Sequence, residues 1–396
     1  MEILHKMKIT IICKGRFHFY DLARELIQLG HDIHLITTLP KYVAKKFGVP
    51  QSSVTSLILV EIIERIWKYL PKFIKNRFNI QFFILDFFGK GASRKIKECD
   101  ILIAGSATAL DAIRRGREIG IKLIILERGS THIQYQNEIL KAEYKKYGIA
   151  SEITHNKVIA KELIEYQEAD YISVPSHFVR DTYLSYGIIK SKLLINPYGV
   201  NLQNFLKKNK LINNAISNKF TVIHCGTLSI RKGVQYLMSA FNELDLPNSE
   251  LLLIGSMSEE FEAIYNKLKS KSIVHLGPFP QSSLVDYYGI GSIFCLASIE
   301  EGLAMVIPQA MACGLPVICT YNTGGSEIVR DGVDGYVVEA RNISQLKTHI
   351  LELYNNKNLR FNMSYSSSER VKNGFTWKDY GIRAEKIFYK IMHANS

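Results

Sequence analysis

The chain has no run of apolar residues long enough to cross a bilayer. A spanning helix needs about 20 of them, and the longest candidate, residues 57–66, is broken by Glu61 and Glu64. A secretory signal is also missing: Met7 to Cys13 reads as a first strand, with no small-residue cleavage site after it. The expectation is a cytoplasmic protein. Cysteine is sparse, with six residues and no CxxC pair, and most lie in apolar strand-like runs. They read as buried reduced thiols rather than a disulfide framework or a zinc site. No G-x-G-x-x-G follows the first strand, no D-x-D pair offers itself to a divalent metal, and no low-complexity tract or short repeat occurs. Zinc-finger, helix-turn-helix and RNP patterns are absent, which argues against nucleic acid as a partner.

What is present is an ordinary globular composition with an uneven charge. The 396 residues are 47% apolar and 22% charged, enough to fill two cores and incompatible with a disordered chain. The net charge is +13. Residues 1–200 carry 30 Lys and Arg against 20 Asp and Glu, whereas residues 201–396 carry 20 against 17. The basic half favours anionic partners such as phosphates or anionic lipid.

Short apolar runs alternate with helix-period segments. Residues 9–13, 33–37, 101–104, 123–126 and 171–174 read as strands, as do 220–225, 251–254, 273–276, 293–296, 317–319 and 336–338. Helices fit between them, for example at 234–244 and 259–269. Repeated βαβ units imply parallel sheets covered on both faces, an α/β fold of two Rossmann-like domains. The turn Asn196-Pro197-Tyr198-Gly199 and the polar stretch Lys207 to Asn218 mark the boundary. The expected domains are 1–196 and 197–376, with a closing helix over 377–396 that packs back on the first domain. Residues 57–90 depart from the alternation. They mix Trp67, Tyr69, Phe73, Phe78, Phe82 and Phe83 with Lys68, Lys72, Lys75 and Arg77. Two readings stand: a helix lying on an anionic membrane surface, or a helical pair packed on the sheet.

Ligands of open parallel sheets bind beyond the carboxyl ends of the strands. After the first strand comes Cys13-Lys14-Gly15-Arg16, where Gly15 allows backbone to approach a phosphate or simply turns the chain. The run Glu127-Arg128-Gly129-Ser130-Thr131-His132 places a histidine in a small-residue loop, for contact with a ligand or a structural role. In Gly226-Thr227-Leu228-Ser229-Ile230-Arg231-Lys232-Gly233 two adjacent cations stand at the mouth of a helix, suited to a diphosphate or to plain solvation. Residues 300–314 are richest. Pro308 has no N–H and belongs in a first turn, so a helix starts near Met305–Ile307, with Glu301 before it and Gln309 about one turn inside. The free amides at Met305 and Val306 suit phosphate. Thr323-Gly324-Gly325-Ser326-Glu327 adds a second glycine-rich turn.

Taken in order, "GTLSIRKGVQYL", "EEGLAMVIPQAMACGLPVI", "TGGSEIVRDGVDGYVV", "PYGV" and "VPSHFVRDTYLSYG" resemble the family-4 retaining glycosyltransferases of the GT-B fold, over nearly the whole chain. The resemblance implies two Rossmann-like domains facing a central cleft, acceptor on the first and nucleotide-sugar donor, by family habit UDP-linked, on the second. It implies that Lys232, with Arg231, binds the donor diphosphate and that the amides around Met305 and Val306 hold its phosphates. It also implies that Glu301 contacts the transferred hexose, that Gly15 lets backbone approach the phosphate, and that His132 lies near the reacting carbon. Gly277–Gln281 would edge the base pocket. No metal and no cofactor beyond the donor are expected. The acceptor would be a glycan or lipid-linked sugar of cell-surface polysaccharide or lipopolysaccharide synthesis, reached from the cytoplasm or the inner membrane face. Two departures stand out: Gln309 replaces the second glutamate of E-x7-E, and Thr227 replaces the usual arginine. They leave open a nucleotide-binding partner subunit without activity, or a same-fold epimerase.

Overall fold

The computed structural model describes residues 6–71, 80–149, 153–206 and 219–394. Among them are two sheets, all of whose recorded pairings are parallel. The first contains β1 (Lys8–Cys13), β2 (Asp32–Thr37), β3 (Val54–Ser56), β4 (Ile101–Gly105), β5 (Leu123–Glu127), β6 (Tyr171–Val174) and β7 (Leu193–Ile195), in the order β3-β2-β1-β4-β5-β6-β7. The second contains β8 (Phe220–Cys225), β9 (Ser249–Ile254), β10 (Ile273–Gly277), β11 (Ile293–Leu296), β12 (Val317–Thr320) and β13 (Gly335–Val338), in the order β10-β9-β8-β11-β12-β13. Strands such as β4, β5, β8 and β11 are buried throughout because helices cover both faces of a parallel sheet. The expected strands are therefore present, and β3 and β7 are additions. Each has three residues, too few for a periodic signal, and each exists because β2 or β6 offers it an unpaired edge.

The helices that bear on the site are α1 (Phe19–Gln28), α2 (Ile58–Tyr69), α3 (Gln81–Ser93), α4 (Ile133–Lys146), α5 (Val234–Leu244), α6 (Val306–Ala312) and α7 (Trp377–Ala394). The expected helix at 259–269 opens instead as a 3-10 turn, Glu259–Phe261, before Glu262–Leu268. Helices α2 and α3 pack on the first domain by one face only: Val60, Ile84, Phe88 and Ala92 enter its core. Lys72, Phe73, Lys75, Arg77 and Phe78 lie outside the described residues, as does Lys207 to Asn218.

Helix α7 follows the second domain in sequence but lies against α1 of the first. Gly381 makes this approach possible, since a Cβ there would stand 2.4 Å from that of Glu25. His31 and Glu385 meet at 2.8 Å across the same seam.

The strand order reverses at β1/β4 in one sheet and at β8/β11 in the other, and the loop after β5 meets the loop after β11. They touch backbone to backbone: a Cβ on Gly302 would sit 1.9 Å from the Gly129 carbonyl oxygen. Beside them lies Glu300, fully buried. Its carboxylate accepts from Ser130 Oγ at 2.6 Å, Thr131 Oγ1 at 2.8 Å and Gln136 Nε2 at 3.0 Å, all on the opposite domain. Burial alone would raise the Glu300 pKa, but the Arg231 charge and these donors outweigh it and hold the group below its ordinary value.

Glu300→Ala strands these donors and Arg231, so it should cost about 3 kcal/mol, read from a shifted urea midpoint. An unchanged midpoint would show that the domains hold together without it. Because the folded pKa lies below the unfolded value of ~4.3, the contribution is complete above that pH and lost as pH falls toward the folded value. The difference between wild type and variant should therefore shrink below about pH 4.

Candidate functional site

The second domain contributes a charged cluster at its switch point. After β8 the chain turns at Ser229, which accepts from the Lys232 amide at 3.1 Å, and Gly233 (φ 63°) then starts α5. A side chain at Gly233 would strike the Ala297 carbonyl oxygen at 1.8 Å, so the β8 and β11 loops are in direct contact. That contact brings Arg231 and Lys232 onto Glu300 and Glu301. Lys232 Nζ pairs with Glu301. Arg231 Nη1 donates to the Glu300 carbonyl oxygen at 3.0 Å and stands 3.3 Å from the Glu301 carboxylate. Ser298 Oγ donates to Glu301 at 3.3 Å. Beneath Lys232, burial and then the Lys232 charge push His224 down to about 4, leaving a neutral ring. Two cations and two carboxylates thus share one spot and pair with each other.

Helix α6 begins at Val306 with Pro308 in its first turn, as expected. Met305 and Gln309 line a cavity of about 980 Å³ together with Gln281, from the segment expected to edge a base pocket, and Arg16, Phe17 and Lys46 of the first domain. Gln309 is buried, and its Oε1 has no hydrogen-bond partner among the described residues. Val306 is half-buried and packs on the core. Thr227 is exposed. Gly15 turns the chain after β1 at φ 76°, donates its N–H to Thr38 Oγ1 at 3.1 Å and has open space where a side chain would be. Among the described residues no group of three or more His, Cys, Asp or Glu could hold a metal ion.

His132 opens α4 in the loop after β5. Its ring is buried among Tyr166, Tyr183 and Tyr186, stacked on the last at 4.5 Å, and its Nδ1 accepts from the Gln134 amide as the N-cap of α4. Burial, then the Arg128 charge, push it down to about 4. These contacts fix a neutral ring as the cap of α4, and Ser130 and Thr131 of the same loop bond Glu300.

A different histidine stands at the first domain's switch point. His18 Nε2 lies 3.0 Å from Glu127 Oε1, both side chains almost wholly buried. The contact is not aligned as a hydrogen bond. Both ring nitrogens of His18, Glu127 Oε1 and the Tyr198 hydroxyl have no hydrogen-bond partner among the described residues. His18 and Glu127 line a cavity of about 360 Å³ with Lys14, Ser106, Thr108 and Ser130. Sequence reading stopped at Arg16, two residues short of His18. Glu127 was visible as the first residue of the "ERGSTH" loop, but nothing along the chain pairs it with position 18.

Comparison with known proteins completes the picture. Residues 16–204 match the model "Glycosyltransferase Family 4" and residues 207–370 match "Glycosyl transferases group 1". The chain is 23% identical to alpha-monoglucosyldiacylglycerol synthase of Acholeplasma laidlawii, over 95% of this chain and 93% of that one. Its fold matches sucrose-phosphate synthase of Thermosynechococcus elongatus at a TM-score of 0.70 and 18% identity, covering 98% and 100% of the two chains. HepE of Anabaena, solved with UDP-glucose, matches at 0.69 and 15% identity, covering 97% and 100%. Two Rossmann-like domains, the charged cluster between them and both family matches lead to one conclusion: the chain belongs to the family-4, group-1 glycosyltransferases and has the GT-B fold.

Proposed function

We propose that this glycosyltransferase moves a hexose, with retention, from a UDP-linked donor to a glycan or lipid-linked acceptor in cell-surface polysaccharide or lipopolysaccharide synthesis. The observation that carries the donor half is the cluster of Lys232, Arg231 and Glu301 between the domains. In the reaction the bond from the anomeric carbon to the β-phosphate oxygen breaks and a bond to the acceptor oxygen forms on the same face. The acceptor's proton leaves on the departing phosphate. Charge gathers on that phosphate, and Lys232 and Arg231 neutralise it. Glu301, released from Lys232, turns to the hydroxyls of the sugar. Met305, Gln281 and Gln309 hold the nucleoside, and the Gln309 amide bonds a ribose hydroxyl without adding charge. UDP-glucose in the solved HepE is consistent with this choice of carrier.

The acceptor half rests on the outer face of α2 and α3. Leu59, Ile62, Ile66, Tyr69, Phe83 and Phe87 are exposed, up to 89% at Tyr69. An apolar stripe of this kind on a basic domain suits insertion at an anionic lipid surface. It also adjoins the smaller cavity, since Leu85 of α3 lines it and Glu64 of α2 holds Lys14 of its wall at 2.9 Å. The name of the Acholeplasma relative points the same way, to a lipid acceptor.

Lys232→Ala should lower kcat/KM by about 10²-fold or more, the usual cost of one charge-stabilising group. The assay is product mass from a panel of nucleotide sugars with EDTA present, where wild-type turnover should continue. A near-normal rate in the variant would remove Lys232 from its role. Binding of a donor, read as a rise in Tm, with no turnover would favour the nucleotide-binding partner subunit without activity.

The wild-type protein should sediment with phosphatidylglycerol vesicles and detach in high salt, whereas Leu59→Glu with Ile66→Glu should stay in solution. Equal recovery with neutral vesicles would count against the membrane surface.

A further inference from the structure

We infer that Phe17, His18 and Glu127 form the seat of the acceptor's sugar ring, with Phe17 as the stacking platform and the His18–Glu127 pair holding the reacting hydroxyl. The inference rests on the glycosyltransferase reading and adds the residues and the chemical class on the acceptor side.

The first argument is unmet polarity. Buried polar atoms without partners are rare in native proteins, yet His18 and Glu127, 3.0 Å apart without an aligned hydrogen bond between them, carry them. His18 stacks on Tyr198 at 4.2 Å, and the Tyr198 hydroxyl would stand 2.8 Å from a Cβ on Gly129. One sugar hydroxyl answers two of these needs at once. It donates to Glu127 Oε1 and accepts from an N–H of His18.

The second argument is Phe17. Its backbone sits at φ 33°, where a non-glycine residue is strained, and its side chain is 55% exposed. Burial gain does not account for an exposed ring held in a strained backbone, and such outliers gather at ligand sites. The ring is braced rather than loose. It packs edge-on to Tyr198 at 5.7 Å and to His18 at 4.7 Å, and it abuts Gly129 so closely that a Cβ there would stand 2.7 Å away. A fixed aromatic face beside hydrogen-bonding groups is a sugar-binding combination, because a pyranose has one apolar C–H face and a rim of hydroxyls.

The third argument is charge. The cations of this wall are already paired: Lys14 with Glu64 at 2.9 Å, and Arg128 with Glu162 at 3.2 Å. The rest offers the hydroxyls of Ser106, Thr108 and Ser130 and the carboxylate of Glu127. That is a poor place for a phosphate and a good one for a neutral polyhydroxyl ring. The cavity of about 360 Å³ falls within the ~300–1,000 Å³ of small-molecule sites. Its position is apt, for Ser130 in its wall donates to Glu300 at 2.6 Å, next in sequence to Glu301 of the donor cluster. The pair holds the hydroxyl before reaction; as the glycosidic bond breaks, its hydrogen turns from Glu127 to the departing phosphate, which takes the proton.

The test is saturation-transfer NMR with the methyl glycosides of glucose, galactose, mannose and N-acetylglucosamine, with and without saturating UDP. It compares the wild-type protein, Phe17→Ala and Glu127→Gln, with UDP affinity measured by calorimetry. We expect at least one glycoside to bind the wild type and to bind both variants at least tenfold more weakly, with UDP affinity unchanged within twofold in Glu127→Gln, whose side chain lines only the smaller of the two cavities. Phe17→Ala alters an exposed side chain and guards against misfolding of the buried variant. Binding of no glycoside to the wild type, or wild-type affinity in Phe17→Ala, would overturn the assignment. Failure of UDP to bind would remove the donor reading instead, and the glycoside series without nucleotide would still decide the subsite.

Discussion

A buried carboxylate whose hydrogen-bond donors all belong to the other domain sets the terms for this structure. Burial penalises the charged form of Glu300, and Arg231 first, then the donors of the first domain, outweigh that penalty and hold its pKa below the ordinary value. Ser130, Thr131 and Gln136 donate to it from the first domain, and the Arg231 charge stands 3.5 Å away in its own. The consequence reaches both sides of the cleft. On one side the contact fixes the β11 loop, so that Glu301 meets Lys232 and Arg231. On the other it fixes the β5 loop, so that Gly129 braces Phe17 and Ser130 walls the smaller cavity.

The charged cluster and the smaller cavity divide the chemistry between them. In the cluster, cations and carboxylates satisfy each other, and under the proposed function an arriving diphosphate would compete for the same cations. In the cavity the cations are tied away from the centre, and what remains unmet is suited to hydroxyl groups. The proposed transfer calls for these opposite environments, one for a charged leaving group and one for a neutral nucleophile, and the facing strand-end loops of the two domains offer both. The closing helix contributes from outside. By packing on α1 through Gly381 and the His31–Glu385 contact it ties the second domain to the base of the first.

The two histidines show where reading along the chain reaches its limit. His132 sits in a glycine- and serine-rich loop after a strand, a position with every outward mark of a ligand contact. It is a helix cap inside a cage of tyrosines. His18 lies one residue before a helix in an aromatic run and carries no such mark, yet it faces the unpartnered carboxylate of Glu127. Side-chain direction separates them, and direction depends on packing against residues more than thirty positions away: Tyr166, Tyr183 and Tyr186 for one, Tyr198 and Glu127 for the other.

The sequence by itself determined the alternation of strands and helices, because buried parallel strands must be apolar and helices must show a 3.6-residue period. It determined that there are two sheets, that Pro308 stands in the first turn of α6, and that Arg231, Lys232 and Glu301 belong to loops at strand ends. Family membership was legible for the same reason: these loops are short contiguous motifs. Tertiary structure alone decided the edge strands β3 and β7, the pairing of Glu300 with the opposite domain, and the exposure of the apolar face of α2 and α3. It alone brought Phe17, His18, Glu127 and Tyr198 into one cluster. Local order follows from neighbours along the chain, whereas these features follow from which surfaces remain uncovered once the two domains have closed on each other.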